Sequence, residues 1–269
     1  MDTFDPSLPL FSIHIPKCAG TSFSRVLKEW FGRGYLRHHY NDKLNRPPPR
    51  HSLTRGIWTK RPRVGLCIHG HFNNDRGIRL LDYYPEARQL ISIIRDPFHL
   101  HVSTYFYLKN QAQVGGRGAY REGKPNPILQ NSSSLEEYLE RYTRPYIRSL
   151  LPPKLTLDNF EDVLTNDFIY IGLSENLQQS VNLLAKVLGF DTVEVPMKNA
   201  SNWSEEVPAG ARERFEEENQ LETLISTTTS PPIGAMVLAI DPAVLRVFRY
   251  ARAMHDKCSS GPPARGQSR

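Results

Sequence analysis

Cysteine is scarce: Cys18, Cys67 and Cys258 are spread over 269 residues, with no CxxC pair and no zinc-type spacing. That excludes a disulfide framework and any metal site written into local sequence, and it suits a reducing compartment. No apolar run approaches the roughly 20 residues of a membrane span, so the chain as given carries none. The opening MDTFDPSLPL holds two Asp, two Pro and no basic residue, which fits neither a signal peptide nor a transit peptide. Internal repeats are missing too. So is the Gly-Lys-Ser/Thr order with which a nucleotide loop grips a β,γ-phosphate pair and its Mg²⁺.

What is present is a globular composition, 39% hydrophobic and 23% charged. Lys and Arg outnumber Asp and Glu by 34 to 28, a net charge of +6 that suits an anionic ligand and equally a plain basic surface. Length alone permits one large α/β domain or two small ones. The expected arrangement is one domain over 1–258 followed by a disordered tail, SSGPPARGQSR, at 259–269.

Four apolar runs read as buried strands: LFSIHI at 10–15, VGLCIHG at 64–70, RQLISIIRD at 88–96 and FIYIGL at 168–173. Helical patterns alternate with them. Phe23, Val26, Leu27 and Trp30 share one face after the first strand; Leu177, Val181, Leu184 and Leu188 do so after the last, with Gly189 as a natural stop. Ser134 and Glu137 form a capping box ahead of Leu135, Tyr138, Leu139 and Tyr142. Uniformly apolar strands alternating with helices predict a central, mainly parallel sheet flanked by helices, a P-loop-like three-layer α/β fold. Residues 45–63 and 114–127, rich in Arg, Lys, Gly and Pro, read as irregular loops that either shape a substrate site or merely connect.

Three stretches carry chemistry. In IPKCAGTSF, a strand-to-helix turn would aim its amides and the helix N-terminus beyond the sheet, with Lys17 adding a charge and Thr21 and Ser22 adding hydroxyls. Thr21 as a plain helix cap explains part of the same pattern. In IHGHF, His69 and His71 stand two apart at a strand end and so face one side, as base and partner or as metal ligands for which no third residue is spaced nearby. In IIRDPFHLHVSTY, Arg95 ends a buried strand, Asp96 and Pro97 start a helix, and Ser103 lies about two turns in.

Together, in this order and spacing, these stretches resemble the sulfotransferases that use 3′-phosphoadenosine 5′-phosphosulfate (PAPS), above all the heparan sulfate and uronyl 2-O-sulfotransferase branch. FIYIGLSENLQQSVNLLAKVLGF and NASNW also look like that family, and the likeness spans roughly residues 10–220. It implies Lys17 at the phosphosulfate, the loop of Lys17, Cys18, Ala19, Gly20, Thr21 and Ser22 around the 5′-phosphate, and Arg95 and Ser103 at the 3′-phosphate. It further implies His71 as the base for the acceptor hydroxyl, with His69 orienting it or handling a second proton. The implied reaction needs no metal, releases PAP, and has a carbohydrate or other hydroxyl acceptor and no nucleic-acid partner.

Two departures stand out. His99, Leu100 and His101 occupy a stretch where family members often carry another Arg, and residues 223–240 intervene before DPAVLRVFRYARAM. Many relatives carry a membrane anchor and work in the Golgi; the chain as given reads as a soluble, cytoplasmic form, with a Golgi-lumen fragment as the alternative. A P-loop kinase or NTPase, and a non-catalytic module binding anionic glycans, are the competing functional readings.

Overall fold

In a computed structural model, described over residues 4–53, 65–130, 134–142, 145–151, 155–196 and 205–228, all four apolar runs are strands. In chain order the strands are β1 (Leu10–His14), β2 (Tyr35–His38), β3 (Cys67–Gly70), β4 (Gln89–Ile94), β5 (Tyr120–Arg121), β6 (Lys124–Pro125) and β7 (Phe168–Leu173). The helices are α1 (Gly20–Phe31), α2 (Leu80–Tyr83), α3 (Pro97–Gln113), α4 (Pro127–Gln130), α5 (Leu135–Tyr142), α6 (Tyr146–Leu150), α7 (Phe160–Asp167), α8 (Leu177–Leu188), α9 (Ala211–Glu218) and α10 (Gln220–Thr228). The described residues fall within one unit, Thr3–Ser230.

β2, β3, β1, β4 and β7 lie side by side in that order, every neighbour parallel. All of β4 and all of β1 but His14 are buried, because helices cover both faces of a parallel sheet. α1 lays Phe23, Val26, Leu27 and Trp30 into this core, each fully buried apolar side chain contributing about 1.5–3 kcal/mol. α8 buries Val181, Leu184 and Leu188 and stops at Gly189, as its pattern predicts. The Ser134 cap also forms, its Oγ accepting from the Glu137 amide at 3.2 Å. Beyond it, Leu135, Tyr138 and Leu139 of α5 pack with Phe98, Val102 and Tyr105 of α3 and Phe215 of α9 in a second cluster.

Three strands depart from the sequence reading. β2 went unforeseen because YLRH is short, polar at Arg37 and placed at the sheet edge, where neither an apolar run nor alternation is required. Within residues 114–127, expected to be irregular, β5 and β6 form a small antiparallel hairpin. Its two-residue turn, Glu122 and Gly123, has φ of 53° and 79°, the positive values that a tight hairpin turn demands. Residues 54–63, NASNW and all of 229–269, Cys258 included, lie outside the described residues. The intervening stretch from 223 is described only as far as Thr228, in α10, where buried Glu222 accepts from the Ile147 amide at 2.9 Å. Among the described residues, no helix is long and apolar enough to cross a membrane.

Candidate active site

From β1 the chain moves toward one edge of the sheet, and from β4 toward the other. The carboxyl ends of these adjacent strands therefore bound the switch-point crevice, where open parallel sheets take ligands. Lys17 follows β1 and Arg95 follows β4, so the topology brings both cations to this place.

The turn between β1 and α1 is tight. Lys17 and Ala19, neither a glycine, hold φ of 67° and 53°. Such left-handed residues cost of order 1–3 kcal/mol each and persist where surrounding structure imposes them. Alternating turns of this kind aim successive amides into one concavity, an anion nest. Ala19 caps α1 without any side-chain hydrogen bond, which leaves the positive end of the helix for an outside acceptor. Cys18 instead points into the core, where burial pushes its thiol pKa up and keeps it unreactive. Thr21 is exposed, while the Ser22 hydroxyl is buried and donates to the Pro196 carbonyl at 2.7 Å.

Lys17 is half-buried, its Nζ 4.3 Å from the centre of the Tyr107 ring on α3. Burial and then the Arg95 charge hold its ammonium below the ordinary lysine pKa. Arg95 Nη1 donates to the Lys17 carbonyl at 3.3 Å. Among the described residues neither cation forms an ion pair. Asp96 belongs to the scaffold: it caps α3 through the His99 amide at 2.7 Å and takes both arms of Arg212 at 3.0 and 3.2 Å. Burial pushes its carboxyl up, but the bonds from Arg212 and His99 outweigh burial and hold it below the usual range. Ser103 is fully buried two turns into the same helix.

On the other side of β1 stands a histidine corner. His69, buried on β3, has Nδ1 2.9 Å from the Ser12 hydroxyl of β1. His71 follows β3, and its amide donates to the His38 carbonyl at 3.0 Å. Its Nδ1 lies 2.8 Å from the His14 carbonyl. A carbonyl only accepts, so Nδ1 carries the proton and Nε2 the lone pair. The His14 ring stacks against both, its centre 5.0 Å from His69 and 4.4 Å from His71. His39 closes the group at 4.7 Å from His71. Burial lowers the His71 pKa to about 4, and burial followed by the neighbouring imidazoles takes His14 well below the ordinary value. His69 is lowered in the same way. These three rings are neutral at pH 7.

The structure thus brings Lys17, the loop and Arg95 to one crevice, and His69 and His71 to the corner beside it. His14 and His39 escaped the sequence reading. His14 left a signal, a polar residue closing an otherwise apolar strand, whereas His39 follows the unforeseen β2. Gly20 joins the two places: a Cβ there would stand 1.7 Å from His14 Nε2, so no side chain fits between helix and ring.

The fold is an open α/β sheet with its candidate site at the switch point. No family model and no curated protein sequence matches the chain. Among solved structures it is similar to a sulfotransferase from Alicyclobacillus acidocaldarius, with a TM-score of 0.45 and 17% identity over 84% of this chain and 97% of that one. It is also similar to mouse sulfotransferase SULT7A1 complexed with PAP, TM-score 0.40 and 12% identity over 84% and 67% of the two chains. Retinol dehydratase, in complex with androsterone and inactive cofactor PAP, superposes with a TM-score of 0.34 and 11% identity over 84% and 68%.

Proposed function

We infer that this chain transfers a sulfuryl group from PAPS to a hydroxyl of an acceptor, in particular a carbohydrate. The observation that carries this reading is the pair Lys17 and Arg95, with the Arg95 guanidinium bonded to the Lys17 carbonyl of a turn that has two left-handed residues and opens a helix without a side-chain cap. Two cations brought to one place repel each other, and an anion bound between them relieves that repulsion. A phosphosulfate supplies that anion, and the motif resemblance supports this choice over other phosphates.

PAPS, when bound, supplies an activated sulfuryl group on a single 5′-phosphate. The loop amides and Thr21 would hold that phosphate, and the half-buried Lys17 would stabilise negative charge as it grows on the bridging oxygen. Arg95 would take the 3′-phosphate, and Ser103 would join it only if its buried hydroxyl were uncovered. Ser22 would join the 5′ site only by releasing the Pro196 carbonyl. His71 Nε2 would accept the proton of the acceptor hydroxyl, its ring fixed by the bond from Nδ1 to His14. His69, held by Ser12, would orient that base through the intervening His14 ring. Because the reaction resembles in-line group transfer, positioning and charge stabilisation dominate its rate. The HGHF likeness supports the sugar acceptor, and residues 45–63 and 114–127 would shape its site.

The purified protein, incubated with labelled PAPS and a glycan panel, should transfer label to glycan and bind PAP. Lys17→Ala should weaken PAP binding and transfer together. Failure to bind PAP at millimolar concentration sinks the reading, and magnesium-dependent ATP turnover would replace it with a kinase or NTPase.

A further inference from the structure

We propose that His14, His39 and His71 form a three-imidazole site for an exchangeable divalent transition-metal ion of the zinc class. One ring nitrogen from each lies within 4.8 Å of the other two. The three residues come from far apart in sequence: His14 ends β1, His39 follows β2 and His71 follows β3. These strands are consecutive in the sheet order β2, β3, β1 and run parallel, so their carboxyl ends meet. Topology therefore builds what local spacing lacks.

The chemistry of the group fits an ion. Histidine binds zinc at about 2.0–2.1 Å, which sets tetrahedral ligand nitrogens about 3.3 Å apart, within reach of modest ring rotations. His71 already has a ligand's outer support, since Nδ1 donates to a backbone carbonyl and Nε2 is left to coordinate. His14 keeps a buried Nδ1 that no described residue hydrogen-bonds, an unfavourable state for a polar atom that a metal bond or a released proton contact would relieve. Three imidazoles with no carboxylate select Zn²⁺, Ni²⁺ or Cu²⁺ over Mg²⁺ or Ca²⁺ and leave at least one coordination position open. Asp42, the nearby carboxylate, is already paired with Arg76 at 2.9 Å, so the imidazoles alone would hold the ion, which is expected to exchange. A bound ion would take the His71 lone pair that proton abstraction needs. The metal-loaded protein is then a masked form of the enzyme; this last step rests on the sulfuryl-transfer reading, whereas the site itself does not.

Titration of the whole protein with Co²⁺, followed by visible absorption, tests the site independently of catalysis. One set of d–d bands should saturate at one ion per chain and be displaced by Zn²⁺. His39→Ala should weaken binding by at least about tenfold, the loss that even an outer-support change can produce. His39→Cys should keep binding and add a thiolate-to-cobalt charge-transfer band, which a merely structural His39 would not give. Absence of the bands in the wild-type protein, or bands unchanged in both His39→Ala and His71→Ala, overturns the site. Zn²⁺ should abolish transfer, and a chelator should restore it; transfer that survives saturating Zn²⁺ overturns the masking while the Co²⁺ spectra still decide the site.

Discussion

The crevice beside β4 and the corner beside β2 flank the same strand, yet they treat charge in opposite ways. Lys17 and Arg95 bring two cationic side chains to one place, the Arg95 guanidinium on the Lys17 carbonyl and its charge felt at the half-buried Lys17 ammonium. Burial strips His14, His69 and His71 of charge, and neighbouring imidazoles add to this at His14 and His69. A short stretch of backbone, from His14 to Lys17, separates the two regimes. Under the sulfuryl-transfer reading the contrast is a division of labour: one side would hold an anion and the other would move a proton, and each would spoil the other's task if their electrostatics mixed.

The sharpest way to separate the two sides is His71→Ala. Under the sulfuryl-transfer reading it should lower transfer by about 10²–10⁴-fold, the usual worth of a positioned base, while PAP affinity measured by calorimetry stays unchanged. Loss of PAP binding in that variant would show that the corner and the crevice are one unit.

Acid should dissolve the histidine side first. Burial lowers the His38 and His71 pKa values to about 4, below the unfolded value near 6.5, so the unfolded chain binds more protons between these limits. Their contribution is complete above about pH 6.5 and is lost as pH falls toward 4. For His38 alone the loss is on the order of 2 kcal/mol by pH 5, so urea midpoints should fall steeply from pH 7 to 5. The acidic limb of the transfer profile should lie near pH 4 rather than 6.5. A limb at 6.5 would mean that the His71 environment is wetter than described.

Gly20→Ala would push the two sides into each other. With the new Cβ 1.7 Å from His14 Nε2, either helix or ring must move, and the expected cost is about 1–3 kcal/mol in denaturant unfolding. Ala19→Gly makes the smallest change: it relaxes a left-handed residue and should raise stability by about 1 kcal/mol or less, read as a small rise in Tm.

Much of the frame was legible because its signals are local. Uniformly apolar strands, the periodic faces of α1 and α8 and the Ser134 cap each follow from a few neighbouring residues. The crevice was legible for the same reason, since Lys17 and Arg95 each sit at the end of an apolar strand. β2 was not, because a short edge strand with Arg37 pays little for polarity and leaves no run. His39 went with it. The pairing of Arg212 with Asp96 and of Glu205 with Lys109 and Tyr105 joins residues about a hundred positions apart, which no window of sequence contains.

The central position of β1 also has a consequence in time. Its contacts with β3 and β4 join residues 57 and 79 positions apart, as in Ser12 with His69 and Ile13 with Ser92. Both loops must close before the strand has neighbours, and such long-range pairings come slowly to a folding chain. α1 and α8, twelve residues each, make their backbone bonds locally and need no such closure. The nest at Lys17 and the imidazole group at His71 both hang from the end of β1, so both depend on these pairings. Until β1 has its neighbours, neither grouping has the strand that positions it.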